Sequence, residues 1–351
     1  FAGTQQKTQR SSMRSARHLH DAVSALLLFL LLSAVVPAAR AQQETDDESE
    51  FSYVCGAENG PENWGKIKEE WATCGTGLMQ SPIDLSDRLA SQAPHLGYLN
   101  HSYRPAEASM VNRGHDITVM FHGDAGSMWI NGTAYHLRQL HWHTPSEHRV
   151  NGRRYNMELH MVHLSAENKA AVIGLLYKIG RPNHFLHELE SYLERMANTN
   201  EKEENVGVVD PWVARGHGEA YYRYMGSLTT PGCDEGVIWT VIKRVPLLLM
   251  TFTNLILITN AKLKGNWLMD LISGRYSHLP TNSPIFYEIF KGRKLVLQVA
   301  TVSSEQLKLL TDAVHDGFDI NARPLQKVNY RDINFFCPDD HHERYYAAAD
   351  H

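Results

Sequence analysis

The sequence predicts a strand-dominated α+β fold, a single domain with few helices at its periphery. Three observations predict it. Most of the patterned text falls in short runs that alternate apolar and polar residues, the period of a half-buried strand. Asn-Gly pairs punctuate those runs where hairpin turns would fall. Helical period shows in only two segments.

In chain order, the first element is an address. Arg14 and Arg17 precede an apolar run, Ala25 to Val36, and Ala39-Arg40-Ala41 follows as a small-x-small cleavage pattern. Residues 13–41 therefore read as a secretory signal peptide starting at Met13, with 1–12 as a leader remnant left out of the fold. An uncleaved anchor is the competing reading. The run is about a dozen residues, short for a bilayer, so no stable membrane span is expected. Residues 42–50 (QQETDDESE) are acidic and polar, a flexible arm. The domain is expected over 51–336, with a tail over 337–351 whose histidines (His341, His342, His351) are expected to be solvated. Within the domain, Asp116 to Phe121, Ser127 to Ile130 and Ala170 to Lys178 read as strands. Asn131-Gly132 and Asn151-Gly152 read as hairpin turns. His184 to Ala197 sets Leu186, Leu189 and Leu193 on one helical face. Ser304 to His315 is the second helix, opening with a Ser or Thr cap and Glu305 in its first turn.

Bulk properties narrow the function. Hydrophobic residues at 43% and charged residues at 21% allow an ordinary globular core. A formal net charge of -5 argues against a nucleic-acid partner, which needs a basic face. Passage through an oxidising compartment would let cysteines pair. Cys55, Cys74, Cys233 and Cys337 allow three full pairings, and spacing does not choose among them. Asn100-His101-Ser102 and Asn131-Gly132-Thr133 are glycosylation sequons that fit secretion. Twenty histidines make a metal worth seeking.

The chemistry concentrates in QLHWHTPSEHRVNGRRYNMELHMVH, Gln139 to His163. His141 and His143 are two apart, so on a strand both imidazoles point to one side. The chain then turns at Asn151-Gly152 and returns through Tyr155 to His163. On the returning strand Glu158 and His160 share one face, and Met157, Leu159 and Met161 share the other. A neighbouring strand thus brings His160 beside the first pair. Three neutral nitrogens plus water make an open tetrahedral zinc site. An HxH pair alone is more often an ordinary surface or core pair. The third histidine, returning beside a carboxylate able to orient it, is what strengthens the case. His148 and His163 lie close by without needing to be ligands.

QLHWHTPSEH followed by ELHMVH resembles the signature of the alpha-type carbonic anhydrases, especially those of plants. NGPENWG at Asn59 to Gly65, QSPIDL at Gln80 to Leu85, NRGHDI at Asn112 to Ile117, GSLTTPGC at Gly226 to Cys233 and NARPLQ at Asn321 to Gln326 agree, in the family's order. The resemblance implies a large central twisted, mostly antiparallel β-sheet with peripheral helices, and a Zn2+ enzyme for carbon dioxide and bicarbonate. It implies zinc ligands at His141, His143 and His160, with Gln139 and Glu158 orienting ligand imidazoles. It implies that Thr229 accepts a hydrogen bond from the attacking hydroxide and donates its own proton to Glu147, with Thr230 beside it in the substrate pocket. His115 matches the proton-shuttle position, suited to an imidazole that titrates near neutrality. Val162, Val172, Leu228, Val237 and Trp239 match the apolar wall for carbon dioxide, though plain core is nearly as good a reading of them. Cys74 and Cys233 match the disulfide of secreted members, which leaves Cys55 and Cys337 open.

One stretch departs from the pattern. The family runs from the strand holding Trp239 almost directly into the helix near Ser304, and Lys243-Arg244 would join naturally to Val299. Residues 245–298 are extra, apolar at their start and unpatterned, which suggests a retained intron. Val245 requires a GT-initial codon, and the codon of Gln298 can end in AG. A surface excursion of the mature protein is the alternative. Competing functional readings are a catalytically impaired storage or binding protein on the same fold, and a zinc hydrolase of another fold, for which no HExxH motif is present. Oligomeric state is left open, and a plastid remains an alternative to the extracellular space.

Overall fold

The computed structural model describes residues 50–199, 202–216, 220–243, 300–315 and 320–337. The proposed signal peptide, nearly all of the acidic arm, the segment 245–298 and the tail beyond Cys337 lie outside the described residues. Thirteen strands make the main sheet. In chain order they are β1 (Ser91–Gln92), β2 (Asn100–His101), β3 (Ala106–Asn112), β4 (Ile117–Phe121), β5 (Ser127–Ile130), β6 (Thr133–His143), β7 (Met157–Leu164), β8 (Ala170–Ile179), β9 (Glu203–Val209), β10 (Tyr221–Ser227), β11 (Glu235–Ile242), β12 (Ala300–Val302) and β13 (Asn334–Phe336). The two longest helices are α1 (His184–Asn198) and α2 (Ser304–Val314). Among the described residues no helix is long and apolar enough to cross a membrane.

The sheet runs β9-β3-β4-β6-β7-β8-β11-β10-β13-β1. Most neighbours are antiparallel, but β8 pairs in parallel with β11 and β12, and β13 with β1. Alternation along each strand sorts the two faces. On β7, Met157, Leu159 and Met161 enter a core that α1 and α2 cover through Phe185, Leu189, Leu193 and Leu310. Glu158, His160 and Val162 point to the opposite face. The helices form where caps start them. The Asn183 side chain accepts from Leu186 N–H at the start of α1, and Ser303 and Gln306 close a capping box on α2. Asn131-Gly132 and Asn151-Gly152 hold φ of 50° and 80°, and of 52° and 77°, the left-handed pair that a two-residue hairpin turn needs. The second of these turns joins two short strands of a separate three-stranded sheet, and β6 and β7 then pair directly.

On one edge of β8 the partners β11 and β12 follow each other end to end. Leu175 stands opposite Ile242, the end of β11, and Tyr177 stands opposite Ala300, the start of β12.

Candidate metal centre

β6 and β7 build the centre by register. His160 stands opposite His141, and Glu158 opposite His143. His141, His143 and His160 are at most 1% exposed. His141 Nε2 lies 3.1 Å from His143 Nε2 and 3.2 Å from His160 Nδ1. A tetrahedral zinc at roughly 2.0–2.1 Å from each nitrogen would set them roughly 3.3 Å apart.

The other nitrogen of each ring is engaged by a fixed acceptor. His141 Nδ1 lies 2.8 Å from Gln139 Oε1, His143 Nδ1 lies 2.7 Å from the Asn321 carbonyl, and His160 Nε2 lies 3.0 Å from Glu158 Oε1. An acceptor on one nitrogen requires the N–H there and leaves a lone pair on the other. Three lone pairs then converge on one buried point, a donor set that fits a cation. Burial pushes the His160 imidazole down to about 4 and His141 well below its ordinary value, so both are neutral at neutral pH.

Glu158 is itself held. His148 donates to it twice, from its main-chain N–H (2.8 Å) and from Nδ1 (2.7 Å), while His148 Nε2 meets Tyr224 Oη at 2.6 Å. Burial alone would raise the Glu158 carboxyl, but His148 and the hydrogen bonds from His148 and His160 hold it well below the usual range. Gly174 stands opposite His160 in the ladder, and a Cβ there would lie 2.8 Å from Glu158 Oε1, so only glycine leaves that oxygen its place.

A model of the eukaryotic-type carbonic anhydrases matches residues 59–251. Alpha carbonic anhydrase 7 of Arabidopsis thaliana is 40% identical over 314 residues, 90% of this chain and 94% of that protein. The chain belongs to the eukaryotic-type carbonic anhydrase family. Dioscorin dioA3 of Dioscorea japonica is 38% identical over 92% of this chain and 96% of its own length. Among solved structures, dioscorin complexed with ascorbate aligns at a TM-score of 0.65 and 39% identity, covering 82% of this chain and 98% of that one. The alpha-carbonic anhydrase from Thermovibrio ammonificans in complex with sulfanilamide aligns at 0.60 and 29%, covering 81% and 98%.

The remaining residues expected of this family fall as follows. Val162, Val172, Leu228, Val237 and Trp239 pack into one buried cluster, and the Trp239 ring lies 4.8 Å from that of His160. Glu147 Oε1 accepts from the Arg323 main-chain N–H at 2.9 Å. Its Oε2 lies 3.7 Å from His143 Nε2. The expected hydrogen bond from Thr229 to Glu147 is not made: Thr229 Oγ1, Thr230 Oγ1 and Glu147 Oε2 are all buried without a hydrogen-bond partner. Orphaned buried polar atoms are costly, and Glu147 Oε2 lies beside the ligand rings, 3.7 Å from His143 Nε2 and 4.0 Å from His160 Nε2. His115 is half-buried on the turn after β3, its Nε2 2.6 Å from the Phe51 carbonyl and its ring against Phe51 and Tyr53.

Cys74 and Cys233 form a disulfide, and the Cys233 N–H donates to the Thr230 carbonyl, so the bridge braces the threonine loop. Cys55 is exposed and Cys337 buried, and the two do not form a disulfide with each other. Asn100 and Asn131 are exposed. Sequence reasoning gave no role to Asn321, Arg323, His148 or Tyr224. Asn321 and Arg323 lie inside the NARPLQ block, which was the available signal.

Proposed function

We propose that this chain is a zinc-dependent carbonic anhydrase that catalyses the reversible hydration of carbon dioxide to bicarbonate and a proton. The observation that carries this reading is the convergence of three imidazole nitrogens, each ring held through its other nitrogen by a separate acceptor. His141, His143 and His160 would hold zinc, which supplies a water that ionises near neutral pH.

The chain's own residues do the rest. Glu147 already takes a main-chain N–H on Oε1, which leaves Oε2 to accept the Thr229 hydroxyl proton. Thr229 then keeps a lone pair for the hydrogen of the reacting water and orients its attack. The wall of Val162, Val172, Leu228, Val237 and Trp239 receives carbon dioxide, and Thr230 borders the pocket. His115, half-buried on the turn after β3, carries protons outward.

A second reading is a catalytically impaired storage or binding protein on the same fold. The similarity to dioscorins, one of them solved with ascorbate, favours it. The retained ligand triad favours the enzyme.

The reading includes passage through the secretory pathway to the extracellular space, with a plastid as the alternative destination. The Cys74–Cys233 bridge supports it, because disulfides persist in oxidising compartments. Asn100 and Asn131 are then glycan acceptors. Residues 245–298 are read as a retained intron. The end-to-end placement of β11 and β12 on β8 supports this, because Lys243-Arg244-Val299 suffices to join them.

The test is carbon dioxide hydration by purified residues 42–351, with and without a zinc chelator and a sulfonamide. Chelator-sensitive hydration is expected. If there is none, the same assay follows on a chain lacking 245–298. Recovery assigns the loss to that segment, and continued silence with zinc bound overturns the enzyme reading in favour of storage or binding.

A further inference from the structure

The turn that carries His115 is fastened on two sides. Across the turn, the Arg113 main-chain N–H donates to the Asp116 carbonyl at 3.1 Å, and Gly114 between them takes a φ of 122°. The Arg113 guanidinium meets the Asp116 carboxylate with both its Nε (2.8 Å to Oδ1) and its Nη2. These two residues are 5% and 2% exposed. The Thr118 hydroxyl donates to Asp116 Oδ1 at 3.1 Å, and Thr118 stands opposite the ligand His141 in the β4–β6 ladder. This side of the clamp is therefore registered to the ligand strand.

Asn321 fastens the other side. Its Nδ2 donates to the His115 carbonyl and to the Trp142 carbonyl, each at 2.9 Å. Its Oδ1 accepts from the Thr144 N–H at 2.6 Å, and its own N–H donates to the Thr144 carbonyl at 3.0 Å. Its carbonyl meets His143 Nδ1. Trp142 and Thr144 flank His143 in the chain, so one amide ties the backbone of His115 to the backbone on both sides of a ligand.

We propose that the Arg113–Asp116 pair, together with the side-chain amide of Asn321, positions His115 against the ligand strand and so sets the rate of proton export. The proposal rests on reading His115 as the group that carries protons out. Its physical basis is that proton transfer through a water chain depends steeply on donor position, and a displacement of about 1 Å can cost up to about a hundredfold. Asn321 touches no reacting atom, so it is a positioning residue.

Asn321→Ala removes the three side-chain bonds and keeps the carbonyl that faces His143. The double variant Arg113→Gln/Asp116→Asn releases the clamp without leaving a buried charge unpaired. It carries the same test should the alanine variant fail to fold. In weak buffer, kcat for hydration should fall on the order of tenfold in each, within the range of a lost proton-transfer group. In the double variant kcat/KM should stay within about twofold, because it reports the steps before proton export; Asn321→Ala, at a residue whose carbonyl holds His143, is read by kcat and by the His115 signals. Added imidazole should restore kcat. In zinc-free protein carrying 15N-histidine, the His115 ring signals should broaden while those of His148 keep their shifts. In the double variant an equal fall in kcat and kcat/KM, or in either variant unchanged kcat with unchanged His115 signals, overturns the proposal. His115→Ala separates the two layers. If it leaves kcat in weak buffer unchanged, the shuttle assignment falls and this proposal with it. If it lowers kcat and the positioning variants do not, the proposal alone falls.

Discussion

Replacing Glu158 by Gln tests how the third ligand is held. Three donors converge on this carboxylate: His148 Nδ1 and His160 Nε2 on Oε1, and the His148 main-chain N–H on Oε2. A glutamine offers one acceptor oxygen and one NH2 group in the same space. If its oxygen takes the Oε1 position, its NH2 faces the His148 N–H, and one buried donor is stranded at about 1–3 kcal/mol. If its oxygen takes the Oε2 position, its NH2 faces His160, which must move its proton to Nδ1 and thereby loses its ligand lone pair. Both arrangements also replace a charged acceptor by a neutral one. Second-layer losses of this kind weaken metal binding roughly 10–100-fold, or about 1.4–2.7 kcal/mol. The assays are zinc competition against a chelator and urea unfolding of the zinc-free protein. Zinc binding within twofold of wild type, at an unchanged urea midpoint, would refute the reasoning.

Three further outcomes follow from the same geometry. Gly174→Ala should weaken zinc binding as Glu158→Gln does, because the new Cβ displaces Glu158 Oε1; a competition titration that matches wild type would contradict the steric argument. Cys74→Ser/Cys233→Ser opens a loop of sequence separation 159, worth up to about 5 kcal/mol on chain entropy. Calorimetry should register a fall in Tm on the order of 10 °C, and no fall would mean that the bridge adds nothing. In acid, His160 and His163 stay neutral down to about 4 when folded, because burial opposes their charge, whereas in the unfolded chain they protonate near 6.5. The unfolded state therefore binds more protons between these values, and zinc-free stability should fall as pH drops from 6.5 towards 4. The slope is at most about 1.4 kcal/mol per pH unit for each group, and a flat urea midpoint across that window would contradict it.

What the sequence made legible is what short-range periodicity encodes. His141 and His143 announce a shared face by their spacing, and Glu158 with His160 repeat it on the next strand. The helices announced themselves through the leucine stripe of α1 and the cap of α2. Asn321 did not, because it reaches His143 with a main-chain carbonyl from 178 residues away, and a carbonyl has no sequence signature. The parallel pairing of β8 was equally silent: AAVIGLLYKI is buried through its first eight residues, and a strand buried on both faces carries no alternation to read. The Thr229–Glu147 hydrogen bond was inferred by resemblance, and the structure leaves both oxygens unpartnered. That Cys55 and Cys337 do not bridge each other needed three dimensions, since spacing allowed every pairing.

The central claim is that His141, His143 and His160 hold one zinc ion with a fourth position open. X-ray absorption at the zinc edge, on the chain loaded with one equivalent, tests it most directly. The account predicts three imidazole nitrogens at roughly 2.0–2.1 Å and one oxygen, with one imidazole lost in His141→Ala. Sulfur scatterers at roughly 2.3 Å, or a spectrum unchanged in His141→Ala, would contradict it.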